Sequence, residues 1–135
     1  MPKPDIEAYV WILGLVIVLS CTYNYLTDPL YREMIKNIQH GHEAEPRSLF
    51  WDGIIIVVTW VWFCFLILPS ISAESSDGTV LGIAALNGIT VYGTWNASNF
   101  TMFQNLSPAW IALMDTIWGT VFTTVTIVST HKMFY

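Results

Sequence analysis

Charged side chains are absent from three long stretches of this chain. No Asp, Glu, Lys or Arg occurs from Ala8 to Thr27, a run of 20 residues, or from Gly53 to Ala73, a run of 21. From Gly78 to His131, 54 residues carry one charge, Asp115. At about 1.5 Å of rise per residue, roughly 20 apolar residues cross a hydrocarbon core about 30 Å thick. Two windows of spanning length and one of double length predict four transmembrane helices, at about 6–26, 49–68, 79–95 and 109–129. Runs this long without period-two alternation are not strands, and a membrane barrel needs at least eight strands. Lipid then leaves helices as the way to satisfy the backbone. The expected fold is all-α, a single transmembrane domain forming an integral membrane four-helix bundle.

Local signals refine the boundaries. Thr27-Asp28-Pro29 reads as a stop and a new start, with Asp28 as cap and Pro29 at the first helical position. Leu30 to Gln39 is amphipathic: Leu30, Met34, Ile35 and Ile38 share one side, and Arg32, Glu33, Lys36 and Asn37 the other. It reads either as a short amphipathic helix after span one, lying in the interface, or as a helical extension above the bilayer. Trp51 stands where an aromatic belt residue belongs, and Pro69 ends span two. Asn96 to Ser107 reads as a polar, uncharged connector, and Ser107-Pro108 as cap and first residue of span four. The first window has acidic residues on its flank and is too long for a signal-peptide core, so it reads as a retained helix.

Composition agrees with a membrane solvent: 54% hydrophobic and 11% charged, against about 25% charged in soluble domains. Net charge is -5, with five Lys plus Arg and no basic patch for nucleic acid. Cys21 and Cys64 both fall inside predicted spans and read as small apolar residues. The expected partners are the lipid bilayer and either further copies of the chain or a larger membrane assembly.

Asp115 is the most informative residue. It lies about 9–12 Å into span four, where a carboxylate costs about 2.5–3.5 kcal/mol on insertion scales. It is therefore expected to face span three and to be hydrogen-bonded or protonated. Trp118, Gly119 and Phe122 share its side. Tyr92, Asn87, Asn96 and Asn99 are the expected polar partners, and the cluster reads either as a proton or ligand site or as a structural knot. Span three is rich in small residues. Gly78 and Gly82 form a GxxxG, Ala84 and Gly88 repeat the spacing, and Gly93 follows. With Gly119 these are the expected helix-packing positions, within the chain or between copies.

Other motifs carry less. His40, His42, Glu43 and Glu45 could ligate a metal but fit no defined site and read as a solvated loop, so no metal and no cofactor is expected. Asn96, Asn99 and Asn105 each open an Asn-x-Ser/Thr acceptor pattern and read as polar loop residues hugging the membrane. There is no nucleophile elbow, phosphate loop or zinc-protease helix, so no catalytic residue is assigned.

Tyr92-Gly93-Thr94-Trp95-Asn96-Ala97-Ser98-Asn99 and Met114-Asp115-Thr116-Ile117-Trp118-Gly119-Thr120 resemble a family of small predicted four-helix membrane proteins. It occurs in bacteria and some large DNA viruses and is known as a domain of unknown function. Its pattern is roughly Tyr-Gly-Thr-Tyr-Asp-Leu-Thr-Asn, then Asp-x-x-Trp-Gly-Thr, and the match covers about the last 55 residues well. The family also carries an Asp and a Trp in span one, ahead of a Tyr that resembles Tyr31. Here span one offers Thr22, Tyr23 and Asn24, and the family's second Asp is Asn96, which leaves Asp115 as the one carboxylate of that pattern.

The expected function is that of a multi-pass membrane protein serving as a structural or accessory membrane component. The alternatives are a small oligomeric transporter, channel or proton-linked carrier using Asp115, and a membrane enzyme acting on lipid.

Overall fold

A computed structural model describes residues 6–41, 49–102 and 108–135. The first helix, α1, runs Ile6–Ile38. The second, α2, runs Leu49–Trp62 and continues through one π-helical turn at Phe63–Ile67 into a 3-10 turn at Leu68–Ser70. Helix α3 spans Asp77–Met102 and α4 spans Ala109–Phe134. The described residues form an all-helical four-helix bundle.

Among the described residues, three helical stretches are long and apolar enough to cross a membrane: Ile6–Ile38, Asp52–Ser70 and Ala109–Phe134. Helix α3 is not among them; Asn87, Thr90, Thr94, Asn96 and Asn99 lower its hydropathy. The outer surface is apolar as well. Val18, Leu26, Val58, Leu66, Leu86 and Leu113 are each at least 60% exposed, an exterior suited to hydrocarbon and not to water.

Several boundaries differ from the sequence expectation. Helix α1 does not break at Asp28-Pro29: Pro29 lies inside it, and the amphipathic segment is its extension. A proline removes one backbone hydrogen bond, here the one its N–H would give the carbonyl of Tyr25. The surrounding turns hold: Thr27 Oγ1 donates to the Tyr23 carbonyl at 2.8 Å, and Arg32 pairs with Asp28 at 2.6 Å across the proline. At 33 residues α1 is about 50 Å long, well beyond the hydrocarbon thickness. It closes at His40, whose φ of +56° turns the chain so that the Gly41 N–H reaches back to the Lys36 carbonyl at 2.8 Å.

The expected connector at 96–107 is helical as far as Met102, because its polar side chains bond inside their own helix. Asn96 Nδ2 donates to the Tyr92 carbonyl, Ser98 Oγ to Thr94 and Thr101 Oγ1 to Ala97. Pro108 occupies the cap position of α4, so the helix begins one residue later than expected. The side chain of Trp51, and His42, Glu43, Glu45, Asn105 and Ser107, lie outside the described residues.

Threonines carry α4 through the apolar layer in the same way. Thr116, Thr120, Thr123 and Thr130 each donate to the carbonyl four residues back, at 2.6–2.8 Å. Their hydroxyls are satisfied without a partner helix, as lipid requires.

The tightest packing joins α3 to α4. A Cβ on Gly88 would stand 2.6 Å from Thr120 Cα, and one on Gly119 would overlap the Tyr92 ring. Only glycine permits these approaches. Ala84 is fully buried, and Gly93 has ordinary space against Thr116. Gly78 and Gly82 differ: a Cβ on Gly82 would meet nothing within 4 Å, and one on Gly78 would come only within 3.9 Å of the Ser76 hydroxyl. Helix α1 runs antiparallel to α4, with Trp11 Nε1 donating to Ser129 Oγ at 3.3 Å near one end and Tyr23 meeting Asp115 toward the other. Trp60 Nε1 ties α2 to the Tyr9 carbonyl of α1 at 2.9 Å, and Phe63 packs against Phe122 at 5.3 Å between ring centroids.

Candidate functional site

The hydrogen bond of Asp115 goes to α1. Tyr23 donates its hydroxyl hydrogen to Asp115 Oδ1, and Tyr31, two turns further along α1, lines the same space. The antiparallel pairing of α1 and α4 brings these residues together across 92 positions of sequence. The ring of Trp118, three residues on from Asp115, stacks on Tyr23 with centroids 5.0 Å apart and planes 7° apart. Stacking and hydrogen bond together fix the tyrosine in place. The carboxyl is thus hydrogen-bonded, with a different helix as partner from the one expected.

One polar stripe on α1 builds this wall. Ser20, Tyr23, Asn24, Thr27, Asp28 and Tyr31 recur at spacings of three and four, so they share one helical face. That face turns toward the start of α4, the end of α3 and the first half of α2. The four helices leave a cavity of about 490 Å³ between them. Asp115, Trp118 and Phe122 line it from α4, Tyr92, Trp95 and Asn96 from α3, and Ile55 and Thr59 from α2. Asp28 and Arg32 complete the lining; both are partly exposed and pair with each other at 2.6 Å. Among the described residues, no Lys or Arg pairs with Asp115.

Of the expected polar cluster, Asp115, Trp118, Tyr92 and Asn96 line this one cavity. Asn96 is buried, donating to the Tyr92 carbonyl and weakly to Thr116 Oγ1 at 3.4 Å. Such burial leaves no room for a glycan. Asn99 is half-buried, one turn beyond Asn96 and outside the lining. Asn87 lies on another face of α3 and donates to its own helix at the Ile83 carbonyl. Sequence reasoning did not place Tyr23, Tyr31, Asn24 or Ser20 at the site; their helical spacing within an apolar run was the available signal. His40 is exposed, and His131, buried at the far end of the bundle, approaches the Ser72 carbonyl at 3.2 Å. Among the described residues, no three His, Cys, Asp or Glu side chains converge as metal ligands would.

The arrangement presents a carboxyl, tyrosine hydroxyls, amides and aromatic rings around a space of ligand size. No curated protein and no solved structure matches the chain. The family model described as "Predicted membrane protein (DUF2177)" matches residues 6–131, nearly its whole length. The chain, with its apolar helices and its cavity at Asp115, therefore belongs to this family of membrane proteins.

Proposed function

We propose that this multi-pass membrane protein binds a polar ligand in the cavity at Asp115, as a carrier or receptor of that ligand. The observation that carries the proposal is the cavity itself. A purely structural carboxylate would be packed between helices. Asp115 instead lines about 490 Å³ of space with three tyrosines, two tryptophans and two asparagines around it. Volumes of about 300–1,000 Å³ are typical of small-molecule sites. Holding a carboxylate beside such a space is costly in a membrane, and intramembrane ionisable groups mark ligand and ion pathways by default.

The test compares small molecules that co-purify with the wild-type protein and with two variants, Asp115→Asn and the cavity-filling Asn24→Trp, after mild extraction and mass spectrometry. A compound held near stoichiometrically by the wild type and lost from both folded variants supports the proposal. Identical contents in all three contradict it.

A second reading rests on Gly78 and Gly82. Their side of α3 meets little else in the bundle. This supports an accessory role in which that face packs against another membrane helix, from a second copy or a larger assembly. Loss of a cross-linked species on Gly82→Leu would test it.

A further inference from the structure

We infer that the ligand of the Asp115 cavity is an amphiphile with an ammonium head, its chain lying in an apolar groove along α4. The inference rests on reading the cavity as a ligand site and names the class of compound it takes.

The charge balance of the lining selects the head. Two carboxylates, Asp28 and Asp115, face one guanidinium, Arg32. Arg32 is already committed to Asp28 at 2.6 Å, which leaves Asp115 as the charge without an opposite partner among the described residues. Tyr23 donates to it, but an ionised carboxyl has about four acceptor positions, which leaves acceptor positions for the N–H groups of a ligand. Tyrosine oxygens and the aromatic rings lining the cavity are electron-rich, and a cation over a Tyr or Trp face is attracted by the ring quadrupole. An anion would meet the same carboxyl and ring faces as repulsion, with only a guanidinium already paired to offset it.

The neighbouring groove selects the tail. A second hollow of about 370 Å³ lies on the outer side of α4, bounded by Trp110, Leu113, Ile117 and Val121. Tyr23 and Trp118 border both spaces, so the stacked pair is their common wall. From Trp110 to Val121 the groove follows α4 for about 16 Å, the scale of an alkyl chain lying along the helix. Among the described residues its walls hold no charged side chain, and Leu113 and Ile117 are more than half exposed on its floor. A head beside Asp115 and a chain across the Tyr23–Trp118 edge would place each part of one molecule in matching surroundings. The shared Tyr23–Trp118 border of the two spaces, and a carboxyl with no cationic partner among the described residues, together argue for a single amphiphilic occupant.

The test is a titration of the purified full chain in neutral maltoside micelles, read by tryptophan fluorescence, because Trp118 borders both spaces. The probes are decylammonium, methylammonium and decanoate. The expected result is a saturable response to decylammonium at concentrations about tenfold or more below those needed for either other probe, weakened about tenfold or more by Asp115→Asn. Micelle partitioning is common to wild type and variant and cancels in the comparison. Decanoate binding as tightly as decylammonium, or decylammonium binding unchanged by Asp115→Asn, overturns the ammonium head while leaving a ligand site at the cavity. Methylammonium binding as tightly as decylammonium overturns the chain and makes the ligand a water-soluble cation. The absence of a saturable response to all three overturns this inference and the cavity reading together. Leu113→Trp, at an exposed position, guards against misfolding of Asp115→Asn. It should weaken decylammonium about tenfold relative to methylammonium, and equal effects on both probes would overturn the groove.

Discussion

Tyr23 is held twice by α4: its ring lies flat on Trp118, 5.0 Å away and 7° from parallel, and its hydroxyl donates to Asp115. The two contacts come from residues three apart on one helix, so they act on the same tyrosine from one side. They position α1 against α4 and shape the wall of the cavity.

Separate removal of the two contacts should give separable losses. Tyr23→Phe keeps the stack and deletes the donor. It should destabilise the bundle by about 0.5–1.5 kcal/mol, the range for single hydrogen bonds in proteins and between membrane helices. Tyr23→Leu also deletes the stack and should cost about 0.5–1.5 kcal/mol more. Unfolding in mixed micelles, followed by circular dichroism, measures both. Equal stability of the two variants would contradict the role given to Trp118.

Glycines on α3 should respond in opposite ways to one methyl group. In Gly88→Ala the new Cβ meets the Thr120 backbone, which cannot swing aside, and a loss of about 1–3 kcal/mol is expected. In Gly82→Ala it meets nothing within 4 Å, and a change within about 0.5 kcal/mol is expected. The same unfolding measurement ranks them. A larger loss at Gly82 would place the close helix contact elsewhere.

Both ends of the chain should lie on one side of the membrane, with all four helices crossing. Trp11 near the start of α1 reaches Ser129 near the end of α4, and Lys132 pairs with Asp77 at the start of α3 at 3.0 Å. Cysteines introduced for Glu7 and Lys132 should be labelled from the same face of sealed vesicles. The opposite face should be cytoplasmic, because the sequence puts Arg32, Lys36 and Arg47 between spans one and two, against Lys3 and Lys132 near the chain's two ends. A reporter fused after Gly41 that is active only outside the cytoplasm would reverse the orientation.

The architecture was legible because lipid simplifies the problem: charge-free runs of 20 residues leave helices and little else. Asp115 was legible for the same reason, as a costly exception inside such a run. Its partner was not. Tyr23 looks like one more aromatic in an apolar window, and it stands 92 residues from the carboxyl in sequence. Periodicity could have exposed the stripe from Ser20 to Tyr31, but reading Pro29 as a helix break cut that stripe in two. The cost of a proline in a long helix is one hydrogen bond, and neighbouring turns absorb it. Span three was misjudged at its end for a related reason. Asn96, Ser98 and Thr101 look like loop residues until their side chains are seen bonding back to their own helix.

The central claim is that Asp115 faces an open space between helices while its neighbours on α4 face lipid. Cysteine labelling tests it most directly. In a Cys21→Ser background, with Cys64 buried, single cysteines replace Asp115, Leu113 and Ile117 in turn. A water-soluble, membrane-impermeant thiol reagent is then applied from the Arg32 side of sealed vesicles. Leu113 and Ile117 are more than half exposed, on the outside of the bundle, where lipid would shield them. The account predicts that the cysteine at 115 reacts and those at 113 and 117 do not. Reaction at 113 and 117 with none at 115 would contradict it.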